Sequence, residues 1–273
     1  MERAKRSNAW KYILALIIIA IHFVPIYMVI AIAFKSPYDH SSRWAFPGYL
    51  YLKNIYTALE RGGMLLALKN TLLISGVSIL LIVMVGAMAA YPIARNRSRM
   101  NNLVKGFIMG VMMIPPLSIL VPLYSFMAKV HGINSYWGMI VTLLTFQLPT
   151  SIFLFSSFIN SIPIALEEAA AIDGCGPFQT FFRIIMPQLK PVTASVIIIT
   201  GVNCWNNYQF ALYLLQSPKI KTITLAIASF FSADSANVNG AAAAAFIGIL
   251  PVIVVFLFLQ KYFIQGMVDS AIK

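Results

Sequence analysis

The sequence predicts an all-α polytopic membrane protein with six transmembrane helices, and three observations lead there. The 273-residue chain is 60% hydrophobic and only 10% charged, with a mean hydropathy of +0.82; soluble domains carry about 25% charged residues. A hydrocarbon core about 30 Å thick needs roughly 20 apolar residues in a helix rising about 1.5 Å per residue. Six stretches without Asp, Glu, Lys or Arg reach that length: 12–34, 70–94, 106–128, 136–158, 191–215 and 236–260. The cations lie between those stretches rather than within them. Spans are therefore expected at about 12–34, 70–92, 106–128, 136–158, 191–215 and 242–262, in one membrane domain covering 1–273.

The first span follows Arg3, Lys5 and Arg6, an arrangement that a signal peptide shares. Its apolar run is longer than a usual signal-peptide core, so a retained helix is expected. Even span number puts both termini on one side with the second and fourth connections. That side holds twelve of the 20 Lys and Arg and the other side eight, and the connection 95–105 carries four cations and no acid. Basic residues favour the cytoplasm, so the fourth connection and both termini are expected there. The net charge of +12 is spread over separate connections and forms no basic stripe, which excludes a nucleic-acid reader.

Within the spans the breaks are prolines. Pro115-Pro116 and Pro122 interrupt the third stretch, Pro149 the fourth and Pro251 the sixth. Each removes a backbone donor and frees a carbonyl. In lipid such groups persist only where neighbouring helices or water satisfy them, so the Pro115-Pro116 pair predicts a bent helix beside a pathway. The segment 223–231 is too short to span. Cys175 and Cys204 are too far apart for a disulfide and read as small packing residues.

The fourth connection, 160–190, is built differently from the others. Pro163 suits a first helical turn, 165–172 is a run of strong helix formers, and Gly174 supplies a left-handed stop. Pro177 opens a second helix, with Phe178, Phe181, Phe182, Ile185 and Leu189 at amphipathic spacing. The second helix is thus expected to anchor to the membrane domain, leaving the first free to project. Three successive alanines, Ala169 to Ala171, give it a thin surface that a partner can approach closely.

Glu168-Ala169-Ala170, Gly174, Ile184 and Pro187 match the spacing of the "EAA" loop of ABC importer permeases, with Met186 where that family prefers Leu. Ile114-Pro115-Pro116, Pro122-Leu123-Tyr124, Tyr136-Trp137-Gly138, Trp205-Asn206 and the ending from Gln260 to Gly266 resemble the carbohydrate-uptake type, similar to the smaller maltose-transporter permease and its relatives. The resemblance runs from Tyr12 to Gly266; it departs at Cys204-Trp205-Asn206-Asn207, where relatives carry an acid after Asn, and in the tail from Met267. It implies the type I ABC importer permease fold with a cytoplasmic EAA coupling helix, in a bacterial cytoplasmic (inner) membrane. It also implies the partners: a second homologous permease subunit, two cytoplasmic ABC ATPase subunits and an extracytoplasmic solute-binding protein. The cargo it implies is a carbohydrate, an oligosaccharide in first place. ATP and Mg would be bound by the ATPases, leaving this chain without a cofactor.

Three groups of residues follow as site expectations. For coupling to the ATPase they are Glu167, Glu168, Ala169, Ala170, Ala171, Asp173, Gly174 and Pro187. For the substrate pathway they are Asn203, Asn206 and Asn207, at i, i+3 and i+4 on one helical face, flanked by Trp205, Tyr208 and Gln209. Carboxamides donate and accept, as sugar hydroxyls do, and aromatic rings suit the apolar faces of pyranoses. The same amides would equally serve helix–helix bonding. For the binding protein they are Phe230, Phe231 and Asn237, in a polar loop 229–240 bearing exposed aromatics.

Several function classes are excluded or demoted. No G-x-x-x-x-G-K-[ST] loop is present, so the chain does not bind ATP in the P-loop manner. No acid lies deep in a span, which argues against proton coupling. His22, His40 and His131 lack metal-ligand spacing, and no G-x-S-x-G elbow occurs. No catalytic or metal residue is expected. A permease for another small polar solute, a facilitator working alone and a structural membrane subunit remain as alternatives.

Overall fold

Long uncharged runs become long helices because a backbone in lipid must satisfy its own polar groups. The computed structural model of the protein describes residues 2–96, 98–231 and 237–271, with side-chain surroundings from Trp10 to Phe258 and at Gln260 within those ranges. Residues 232–236 of the expected outer loop, Arg97 and the last two residues of the tail lie outside the described residues. No strand occurs among the described residues. Four helices are long and apolar enough to cross a membrane, or up to six if each of two bent pairs is one span.

One compact unit comprises Met1–Leu65 and Ala226–Pro251. It contains α1 (Glu2–Ala33) and α2 (Lys53–Glu60), and the first half of the last helix. The carbonyls left over at the end of α1 are taken up by two carboxamides. Asn54 Nδ2 donates to the carbonyls of Ala33 at 2.9 Å and Lys35 at 2.8 Å. Asn239 Nδ2 donates to those of Ile32 at 3.2 Å and Lys35 at 2.8 Å. Lys35 itself is buried, its ammonium held by the carbonyls of Ser42 at 2.7 Å and Ala45 at 3.2 Å. No sequence signal marked that lysine. The loop after it folds back on α1, where Tyr27 donates to the Trp44 carbonyl at 2.7 Å.

The other unit comprises Leu66–Leu225 and Val252–Lys273. α3 (Met64–Arg95) keeps Pro92 inside it. α4 (Arg99–Met112) starts on Ser98, whose hydroxyl accepts from the Asn101 amide at 3.2 Å. The chain then breaks at Pro115-Pro116, and α5 (Leu120–Lys129) follows a single 3-10 turn. The third expected span is therefore two pieces meeting at 91°, Arg99–Met112 and Pro116–Lys129, far more than a proline kink. Proline at the start of the second piece costs no hydrogen bond, because that donor would be unpaired anyway.

α6 (Tyr136–Ile159) is the centre of this unit, packed by α4 and by the helices that follow the fourth connection. Its buried Leu143, Phe155 and Ile159 join Ile82 from α3 and Ile185, Leu189 and Leu214 in one apolar core. α7 (Ala165–Ile172) and α8 (Pro177–Gln188) form the fourth connection. α9 (Lys190–Trp205) leaves α8 at 75°. The fifth expected span, 191–215, thus ends at Trp205. A non-helical step through Asn206–Tyr208 leads to α10 (Gln209–Leu214), then α11 (Ile223–Ala228) and α12 (Val238–Ala271). Asn70, 1% exposed, fastens the loop after α10: it donates to the carbonyls of Lys219 at 3.2 Å and Lys221 at 2.9 Å and accepts from Tyr136 Oη at 2.8 Å.

Candidate docking loop and polar pathway face

α7 occupies the run expected to be helical, with Glu167 and Glu168 in its first turn, where the helix dipole favours acids. It stops at Gly174, whose φ of +82° is left-handed. There the amide of Cys175 bonds the Ala170 carbonyl at 2.9 Å and that of Gly174 the Ala171 carbonyl at 3.1 Å, the closure of a glycine C-terminus.

The helical period divides the expected coupling residues into two sets. Glu167 and Ala170, three apart, face the chain; Ala170 is 4% exposed. Glu167 Oε1 accepts from Arg95 Nε at 2.6 Å and Oε2 from Tyr91 Oη at 2.7 Å. Arg95 also donates to the Ile162 carbonyl at 3.0 Å. Of the expected coupling residues, Ala170 and Glu167 are therefore inward. The outward stripe is Ala165, Glu168, Ala169 and Ile172, with Ile172 87% exposed. Ala171, Asp173, Gly174 and Pro187 are exposed as well.

The anchor behind α7 also differs in detail. Residues 181–185 form a π turn inside α8, and the wider turn rotates its two ends against each other. Thr180, Phe181, Ile185 and Leu189 are buried, while Phe178 and Phe182 of the expected apolar face are exposed. Phe181 stacks obliquely on Tyr91, with ring centroids 5.4 Å apart.

The pathway amides do not share one helical face, because the helix ends among them. Asn203 is the last of them on α9, exposed, and donates to Gln147 Oε1 of α6 at 3.2 Å. Asn206 caps the end of α9 and is exposed. Asn207 turns inward: its Oδ1 accepts from the amides of Phe210 at 3.2 Å and Ala211 at 3.4 Å, starting α10. Trp205 is half-buried, and Tyr208 and Gln209 are exposed beyond the break. Gln147 was missed; a lone carboxamide in an uncharged span was the signal that marked it.

At the end of the other unit, Phe230 is not an exposed aromatic. It is 9% exposed, and its ring lies where an added Cβ on Gly62 or Gly240 would come within 2.8 Å of it. Phe231 is 58% exposed. Asn237 accepts from the Gly240 amide at 2.8 Å and donates its own amide to the Phe230 carbonyl at 3.0 Å, so it organises the start of α12. In the loop after α1, bonds from the Ser41 side chain, then from Tyr49, hold the Asp39 carboxyl down at about 2. The same contact raises Tyr49, chiefly because its hydroxyl donates to the Asp39 carboxylate. No cluster of His, Cys, Asp or Glu among the described residues could hold a metal ion.

Residues 82–269 match the family described as binding-protein-dependent transport system inner membrane component. The chain belongs to that family. It is 41% identical to a melibiose/raffinose/stachyose import permease of Bacillus subtilis, over 99% of both chains. It is 32% identical to a multiple sugar-binding transport system permease of Streptococcus mutans, over all of both. Its fold resembles a chain of a bacterial ABC transporter for the acidic polysaccharide alginate, with a TM-score of 0.80, 18% identity and coverage of 94% of this chain and 98% of that one. The permease is thus an inner-membrane transport subunit with a helical ABC importer fold.

Proposed function

We propose that this permease forms half of the translocation pathway of an ATP-driven importer for an oligosaccharide, paired with a second, homologous permease. Cytoplasmic ATPases, two per complex, bind ATP and Mg and press on the outward stripe of α7. An extracytoplasmic solute-binding protein delivers cargo on the opposite side, where Phe231 is displayed, and both termini lie in the cytoplasm. The observation that carries this reading is α7: an eight-residue helix whose inner side is bonded to the chain and whose outer side, Ala165, Glu168, Ala169 and Ile172, is open, with two alanines beside one carboxylate and one large apolar side chain. The exposed carboxamides Asn203, Asn206 and Gln209, with half-buried Gln147 and exposed Tyr208, supply hydroxyl-matching groups for a neutral sugar. The sugars in the names of its relatives support that cargo class.

The test is reconstitution in vesicles with the companion permease and ATPase, binding protein outside and ATP inside. Uptake of raffinose or melibiose is expected to require all components, and Glu168→Lys is expected to lower co-purification of the ATPase. Uptake without ATP would establish a facilitator instead. Full ATPase recovery with Glu168→Lys would remove α7 from the docking surface.

A further inference from the structure

Two residues from one turn of α3 hold both oxygens of Glu167. Tyr91 and Arg95 stand four apart, so their side chains leave the same face of that helix. Arg95 is the last residue of α3, and its guanidinium makes two separate bonds: Nε to the Glu167 carboxylate at 2.6 Å, and a terminal nitrogen to the Ile162 carbonyl at 3.0 Å. Tyr91 closes the set at 2.7 Å. The pair is well sheltered, with side chains 15% and 14% exposed. Such a pair is much less screened than a surface one. The Tyr91 ring meets Phe181 at 5.4 Å, in the π turn beyond α7. The end of α3 therefore grips the carbonyl before α7, a carboxylate within α7 and a ring in the following helix.

We infer that Arg95, Tyr91 and Glu167 form a clamp that makes α7 and the end of α3 move as one body, so that force on the docking stripe reaches the pathway through α3. This rests on the docking reading of α7 above. Apart from the clamp, α7 is joined to the rest of the chain by the loop 160–164, the turn at Gly174 and its packing on α8. Neighbouring interactions of α7 leave no other charged partner for Glu167 among the described residues. The forked guanidinium is specific to the task, since a lysine ammonium presents one point of charge and would not hold the carboxylate and the Ile162 carbonyl in the same fixed fork. Arg95, Tyr91 and Glu167 are positioning residues: they touch neither ATP nor cargo.

The test measures sugar transported per ATP hydrolysed in the reconstituted complex, alongside ATPase co-purification. Arg95→Gln is expected to keep ATPase recovery within about twofold while the transport-to-hydrolysis ratio falls about fivefold or more, the low end of inter-site coupling. Arg95→Lys should fall between, and Tyr91→Phe should show a smaller drop in the same ratio. A pair that served stability alone would lower transport and hydrolysis together and leave their ratio fixed. An unchanged ratio in Arg95→Gln and Tyr91→Phe overturns the clamp. The docking reading is judged separately: if Glu168→Lys still disturbs ATPase recovery while those ratios hold, the clamp alone falls. If the Arg95 variants fail to assemble and Tyr91→Phe keeps the wild-type ratio, the pair only supports the fold and the inference fails.

Discussion

Asn206 and Asn207 are neighbours with identical side chains, and the break between α9 and α10 gives them different tasks. Asn207 spends its oxygen on the first amides of α10. Its own carbonyl accepts from Thr224 at 3.0 Å. Asn206 presents its carboxamide to the surface. Asn207→Ala is therefore expected to cost about 1 kcal/mol of stability, the value of a lost helix-start cap, seen as a lower melting temperature or yield in detergent. Asn206→Ala is expected to leave melting unchanged and slow sugar uptake about two- to tenfold, the value of one net hydrogen bond of about 0.5–1.5 kcal/mol. The reverse pattern would exchange their roles. Both asparagines were visible in the sequence as a polar cluster in an apolar run. Their division was not, because a helix of period 3.6 was assumed across a step that leaves the helix at Asn206. Arg95 and Glu167 are 72 positions apart, so no local spacing could pair them.

Among elements, α7 was the most legible, because its three determinants are local: alanine-rich propensity, acids in the first turn and a glycine after the last. Gly174 holds φ at +82°, and an added Cβ would meet nothing within 4 Å. Substitution there is thus a question of backbone conformation and not of space. A side chain at left-handed φ costs about 1–2 kcal/mol, more for a β-branched residue, while asparagine enters that region readily. Gly174→Val is expected to misdirect α7, cutting ATPase co-purification several-fold with the chain still inserted, and Gly174→Asn to recover most of it. Equal recovery with Val and Asn would mean that the turn does not set the docking angle. The π turn of α8 and the size of the break at Pro115-Pro116 were not legible. Proline reports where a helix stops, but the 91° between the two pieces is set by what each piece packs on. A π turn shifts the buried face from Phe178 and Phe182 to Thr180 and Phe181 without altering any local propensity.

At the scale of the whole molecule, the hydropathy pattern located the helical stretches, since burial in lipid demands the same composition from every one of them. It could not tell a straight crossing from a bent pair, because both conserve length and apolarity. Sidedness rests on a modest excess of cations, twelve of 20 on one side, and on the short connection between α3 and α4. Asn237 tests it directly. It begins the last helix, on the side expected to be extracytoplasmic, and its surroundings are half-exposed. Among the described residues its side chain holds the Gly240 amide at 2.8 Å, so a cysteine there should cost about as much as a lost cap, about 1 kcal/mol. With Cys175 and Cys204 replaced by Ala or Ser, Asn237→Cys is expected to react with a membrane-impermeant maleimide from outside intact cells. Binding protein carrying cargo should slow that reaction. A cysteine at Ile172, on the open stripe of α7, should react only in inside-out vesicles, and the ATPase should shield it. Labelling of both from the same side would break the six-span topology, because the two positions are separated by α9 and the step to α11, which can then no longer cross the bilayer as one span.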